Sequence, residues 1–127
     1  RRMTNDLERA LRRVLQETPD VDAMFLSTPD GLLIAAVVHD SVEPDVVAAM
    51  ASAAAGLAAQ MASLLGLGPS PTTFVHGPHG GIGIRRVMGS AVLVVQGSPG
   101  RGVGSLQLST GRLASRVEHI LTNDSTG

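Results

Sequence analysis

Between Asp45 and Arg85 the chain carries no Asp, Glu, Lys or Arg, and this uncharged stretch opens with an alanine-rich run of helical length. An apolar surface of that extent promotes association when water is its only neighbour, so such a segment is built to be covered by another element or another chain. Self-association is therefore the first reading of the stretch.

The 127 residues make one domain with a single core, long enough to bury roughly two-thirds of the unfolded surface. The absence of cysteine excludes a disulfide framework, a thiolate zinc site and a cysteine nucleophile. No apolar run follows the basic start, so no secretory signal is expected and the expected compartment is the cytosol, with any membrane association made only through partners. A net charge of −1, with Phe25 and Phe74 as the sole aromatics, argues against a nucleic-acid surface, which needs basic stripes and stacking platforms. Every basic residue apart from histidine is arginine, which removes the Walker lysine, Schiff-base chemistry and serine–lysine catalysis together. An all-arginine chain rich in Ala, Gly and Val also suits a GC-rich genome.

From Thr4 to Glu17, Leu7, Ala10, Leu11, Val14 and Leu15 recur at three- and four-residue spacing, which predicts an amphipathic helix capped by Thr4 or Asn5 and stopped by Pro19. Val21 to Ser27 and Leu32 to Val38 read as strands joined by the turn Pro29-Asp30-Gly31. Pro44 suits a first helical turn. Over Val46 to Leu65 the large side chains Val46, Val47, Met50, Leu57, Met61, Leu64 and Leu65, with Ala54, fall on one side, and that stripe is expected to face the sheet. The other side is small, with Ala48, Ala51, Ser52, Ala55, Ala58, Ala59 and Ala62, and is expected to receive a second helix, the same helix of another subunit. A membrane span is disfavoured, since alanine contributes little to insertion and Gln60 and the serines oppose it.

Thr72 to His76, Ile82 to Val87 and Ala91 to Gln96 read as three further strands, followed by a glycine-rich loop, Gly97 to Gly104, and a final amphipathic helix. The fold class is α+β: helix, two strands, helix, three strands, helix, with a five-stranded antiparallel sheet covered by helices. The domain is expected over residues 4–122, with 123–127 a flexible polar tail.

This order resembles the roadblock, or dynein light-chain-like, family, whose outline is profilin-like. The resemblance rests on Pro19-x-Val21-x-Ala23, Asp30-Gly31-Leu32, the alanine-rich helix, Gly81-x-Gly83-Ile84 and Ala91-Val92-Leu93-Val94-Val95. It implies a homodimer in which the second helix and third strand meet their copies. Its expected interface here is Ala48, Ala51, Ser52, Ala55, Ala58, Ala59, Ala62, Thr72, Phe74 and Val75. It also implies a non-enzymatic adaptor that regulates a small Ras-like GTPase, alone or with a sensor-kinase complex, in a bacterium whose composition points to an actinobacterium. The glycine-rich loop before the last helix departs from the family pattern. The alternative reading is a profilin-like or longin-like sensory domain holding a small molecule between sheet and helix.

Sharper chemistry finds little support in the pattern. The loop 97–104 matches neither G-x-G-x-x-G nor the Walker motif. His76 and His79 have H-x-x-H spacing but flank a proline turn and lack a third ligand in sequence, so no metal and no cofactor are expected. Asp30, His39 and Asp40 lie near serines, yet nothing marks a nucleophile elbow. Arg85, Arg86 and Arg101 are the candidate partner contacts; an arginine finger among them is disfavoured, because the family acts by repositioning the GTPase's own residues. The expected partners are a second copy and the GTPase, without nucleic acid and without membrane insertion.

Overall fold

The computed structural model describes residues 2–39, 41–69 and 72–126. Helix α1 (Arg2–Gln16) leads into strands β1 (Val21–Ser27) and β2 (Leu33–Val37). Helix α2 (Pro44–Leu64), strands β3 (Thr72–Gly77), β4 (Gly80–Val87) and β5 (Ala91–Gly97), and helix α3 (Val103–Thr126) follow. The sheet is antiparallel throughout, in the order β2-β1-β5-β4-β3. The element order and fold class expected from the sequence are those observed. The final helix continues through Thr126, so residues 123–126, expected as a polar tail, have helical backbone. The caps expected of Thr4 and Asn5, together with Asp40 and Gly127, lie outside the described side chains or residues.

Strand alternation divides the core into two layers. On one face Met24, Leu26, Leu93 and Val95 pack beneath Leu7, Leu11 and Val14 of α1 and Leu113 and Val117 of α3. On the other, Phe25, Ile84, Val92 and Val94 meet Ala51 and Ala55 of α2. Fully burying each Leu, Val, Met or Phe contributes about 1.5–3 kcal/mol, so the apolar run of β1 and the whole of β5 stabilise the domain from both sides. The continuous apolar character of β5, at the sheet centre, follows from its being covered on both faces.

The helix ends follow their residues. The Thr18 hydroxyl donates to the Val14 carbonyl (2.8 Å), closing α1 before Pro19. Pro44 opens α2, where its missing N–H is no loss, and Gly66 (φ +67°) closes it. There the Leu67 N–H reaches back to the Ala62 carbonyl (2.9 Å), an arrangement that glycine's left-handed backbone permits.

Close approach of α3 to the sheet depends on Gly83. A methyl group there would clash with the Oγ1 of Thr110, itself fully buried and without a hydrogen-bond partner among the described residues. Gly83→Ala is expected to destabilise the domain by about 1–3 kcal/mol through overpacking, and pairing it with Thr110→Ala should restore much of the loss. Chemical denaturation of the two single variants and the double variant measures that coupling.

Candidate functional site

Helix α2 crosses the sheet with its small side chains inward. Ala48, Ala51, Ser52, Ala55 and Ala62 are buried within this one chain, and the Ser52 hydroxyl bridges to the Ser27 hydroxyl (3.2 Å) and donates to the Thr28 carbonyl (3.1 Å). The expected orientation is therefore reversed for most of this face: Ala51 and Ala55 pack on the sheet layer and Ala48 and Ser52 are buried beside them, while Ala62, also buried, borders the groove beside β3. The physical reason lies on the sheet side, where Phe25 and the β-branched Ile84, Val92 and Val94 already fill the layer. A helix laid over them must present small residues to approach closely. Ala58 and Ala59 are half-buried at the flanks of this contact.

Of the stripe expected to face the sheet, half-buried Val47 and Ala54 do pack against the Phe25 layer, while the other large side chains point away. Leu57 is 60% exposed, Met61 53%, Leu64 86% and Leu65 69%, and Leu67 just beyond the helix is 71% exposed. Between this ridge and β3 runs an open apolar groove of about 370 Å³, lined by Ala54, Ala58, Ala62 and Thr73 below Leu57, Met61, Leu65 and Leu67. Helical periodicity alone separates a large and a small face; it does not say which faces the core, and an exposed polar face, the usual marker, is missing here.

Among the described residues strand β3 pairs only with β4, and its other edge has no strand beside it. The strand-derived interface residues divide between faces. Thr72 and Phe74 lie opposite Arg85 and Gly83, on the α3 side, whereas exposed Val75 lies opposite Ile82, on the α2 side. An uncharged edge strand beside an exposed apolar helix lacks the charges that normally block edge-to-edge pairing.

The three candidate arginines do not converge. Arg85 faces the α3 side, its Nη1 3.4 Å from the Thr72 hydroxyl, and exposed Arg86 points to the α2 side of the same strand. Arg101 lies at the opposite end of the sheet, past Gly97, where it acts on Asp20. The loop that carries it is tied down by Ser98, whose N–H donates to the Asp20 carbonyl (3.0 Å) and whose hydroxyl donates to the Asp22 carboxylate (2.7 Å). The Asp20 carboxylate in turn accepts the Ser109 hydroxyl from α3. Two carboxylates thus anchor the loop and the start of α3 to the entry of β1, and their negative charge opposes an anion there. His76 lies in β3 and His79 in the following turn, and no group of three or more His, Asp or Glu gathers around a common point among the described residues. The space between sheet and α2, where a sensory domain would hold its ligand, is filled by the Phe25 layer.

The family model described as the Roadblock/LC7 domain matches residues 8–97. The uncharacterised protein MJ0310 of Methanocaldococcus jannaschii is 31% identical over 107 residues, covering 82% of this chain and 90% of that relative. Among solved structures, Myxococcus xanthus MglB superposes with a TM-score of 0.79 at 17% identity, covering 95% of this chain and 91% of that one. A Roadblock/LC7 domain from Streptomyces avermitilis superposes with a TM-score of 0.76 at 19% identity, covering 91% and 97%.

The Asp20 clamp has a pH signature. The Ser109 hydroxyl holds the Asp20 pKa below its ordinary value; burial, the next largest influence, opposes it, and the Asp20 backbone amide and the charges of Arg101 and Arg112 add smaller lowering effects. A carboxylate whose folded pKa is lowered stabilises the fold fully above its unfolded value near 3.8, and that contribution fades as pH falls through the lower folded value. Ser109→Ala is expected to flatten the loss of stability below about pH 4, as read by circular dichroism during acid titration.

Proposed function

The chain belongs to the Roadblock/LC7 domain family, and from that membership we propose that it is a non-enzymatic, cytoplasmic homodimer that regulates a small Ras-like GTPase in a bacterial, by composition actinobacterial, signalling complex. The observation that carries the dimer is the outward ridge of Leu57, Met61, Leu64, Leu65 and Leu67 beside exposed Val75 and the free edge of β3. Each of these six residues is more than half exposed, and together with the β3 edge they form an extended apolar patch of the kind that a standard interface, burying roughly 800 Å² per partner, would cover. A second copy is the simplest cover, because in a two-fold contact one patch meets itself and two β3 edges satisfy each other. The interface set is thereby revised from the small face of α2 to the large one, with Val75 retained.

A rigid dimer regulates a GTPase by binding one nucleotide state better than the other, and only by that difference in affinity. The reading needs no group from this chain in the chemistry, and Arg85, Arg86 and Arg101, being dispersed, act as separate surface contacts with the GTPase or a sensor complex. The small-residue sheet contact and the apolar ridge separate two outcomes. Met61→Arg should give a folded monomer with a wild-type circular dichroism spectrum, because the charge lands on the interface alone. Ala55→Arg should fail to fold, because the side chain would be driven into Phe25 and Val94. Sedimentation equilibrium distinguishes the two, and an unchanged dimer in Met61→Arg would remove this interface.

The GTPase assignment is tested by titrating the purified protein with the Ras-like GTPase encoded nearest to it, loaded with GDP or with a non-hydrolysable GTP analogue. A tenfold or greater preference for one state corresponds to about 1.4 kcal/mol of coupling and supports regulation. Equal or absent binding in both states overturns it.

A further inference from the structure

The sheet has a second open edge. Strand β2 ends the strand order opposite β3, about 19 Å away at the usual strand spacing, so a contact made through β3 and the ridge beside it leaves β2 uncovered. Residues 32–38, Leu-Leu-Ile-Ala-Ala-Val-Val, carry no charge, proline or glycine, the devices that keep edge strands from pairing. Only the start of β2 is irregular, where its register against β1 shifts at Ser27; Met24, Phe25 and Leu26 pair regularly with Val37, Ala36 and Ala35. Apart from that pairing, no backbone hydrogen bond among the described residues reaches 33–37, so the outward N–H and C=O groups of β2 have no protein partner there.

The two flanks of this edge differ. On the α1 side stands half-buried Ile34; on the α2 side stand Ala36, Val38 and Val42, also half-buried. Helix α2 crosses the sheet from β2 to β3, for Val42 and Val47 pack with Ala36 and Val38 while its last turns border Thr73. Its start therefore brings exposed Glu43 and Asp45 to the β2 edge, and the β1–β2 turn brings exposed Asp30. Residues 14–84 contain no lysine or arginine, so neither the hairpin nor α2 supplies a base to neutralise these acids. On α1, the flank turned away from the Glu17–Arg116 pair carries Glu8 and Arg12, whose charges offset each other. The rim of the edge is thus acidic, and its acids lie on the α2 flank.

We propose that the β2 edge binds an extended peptide segment of a partner as a sixth strand, and that in this segment lysine or arginine alternates with valine or isoleucine. The alternation follows from the pleat. Side chains on the α2 flank lay their stems over Ala36 and Val38 and carry basic heads to Asp30, Glu43 and Asp45, and those on the α1 flank rest on Ile34. Backbone hydrogen bonds supply the affinity, and charge selects the partner. A second copy does not fit. Two β2 edges joined about a two-fold axis set the same acids against one another, and a β3 edge brings no lysine or arginine. The site lies apart from the surfaces of the regulator reading and stands whether or not that reading holds.

The test titrates the full chain with a capped, fluorescein-labelled heptapeptide of alternating lysine and valine, read by anisotropy and by amide hydrogen exchange. Saturable binding is expected, with slowed exchange confined to residues 33–38. Three control peptides should each bind at least tenfold more weakly: a scrambled one of the same composition, one with glutamate in place of lysine, and one N-methylated along its backbone. They remove the alternation, the charge match and the backbone bonds in turn. Asp30→Asn with Glu43→Gln should weaken binding of the alternating peptide at least fivefold and leave the melting temperature unchanged. Absence of saturable binding, equal binding of the scrambled peptide, protection of β3 instead of β2, or wild-type affinity in the double variant would each overturn this site.

Discussion

The close contact between the alanine face of α2 and the Phe25 layer of the sheet decides the rest of the molecule. Ala51 and Ala55 meet Phe25, Ile84, Val92 and Val94 with no room for longer side chains. Because the inner face is restricted to small residues, every large apolar residue of the helix is displaced outward or to its flanks. The surface that remains is apolar without having been exposed by any defect in packing. It is what a helix of this composition leaves once its narrow side has been used.

The opposite layer is built by other means. There α1 and α3 cover the sheet with leucine and valine, and α3 approaches β4 over Gly83. Polar ties hold the two ends of α3. Ser109 and the glycine-rich loop are fastened to Asp20 and Asp22, and Glu118 accepts the Met88 N–H in the β4–β5 turn (3.0 Å). Charged residues concentrate on this side, where α1 and α3 carry two surface ion pairs, Arg9 with Asp6 and Arg116 with Glu17. Exposed pairs of this kind add little stability, and their effect is to keep that layer solvated. The domain therefore has one wet face and one face suited to association, and a free strand edge runs beside the second.

On the regulator reading proposed above, that division can supply specificity without a catalytic constellation. Shape comes from the sheet and from a helix tied to it through Ser52. A regulator needs only a surface that fits one conformation of its partner better than another. The arginines that invited a chemical reading, Arg85, Arg86 and Arg101, occupy two ends and both sides of the sheet, an arrangement that suits solvation and separate contacts rather than a shared site.

Much of the architecture was legible in the chain. The spacing of Leu7, Leu11 and Val14, the turn at Pro29-Asp30-Gly31, the unbroken apolar run of β5 and the punctuation by Pro44 and Gly66 are local signals, and local backbone preferences suffice to read them. The charge-free span correctly marked α2 and β3 as unusual. Which side of α2 meets the sheet was not legible, because the helix lacks the charged face from which orientation is normally inferred, and both of its sides are apolar. Only the tertiary structure decided it, through the volume already taken by Phe25, Ile84, Val92 and Val94. The same holds for the division of Thr72, Phe74 and Val75 between faces, which depends on the register of β3 against β4, and for the approach of Gly31 in the first hairpin to Ala49 of α2. Pattern determined the elements; steric volume and strand register determined the surfaces.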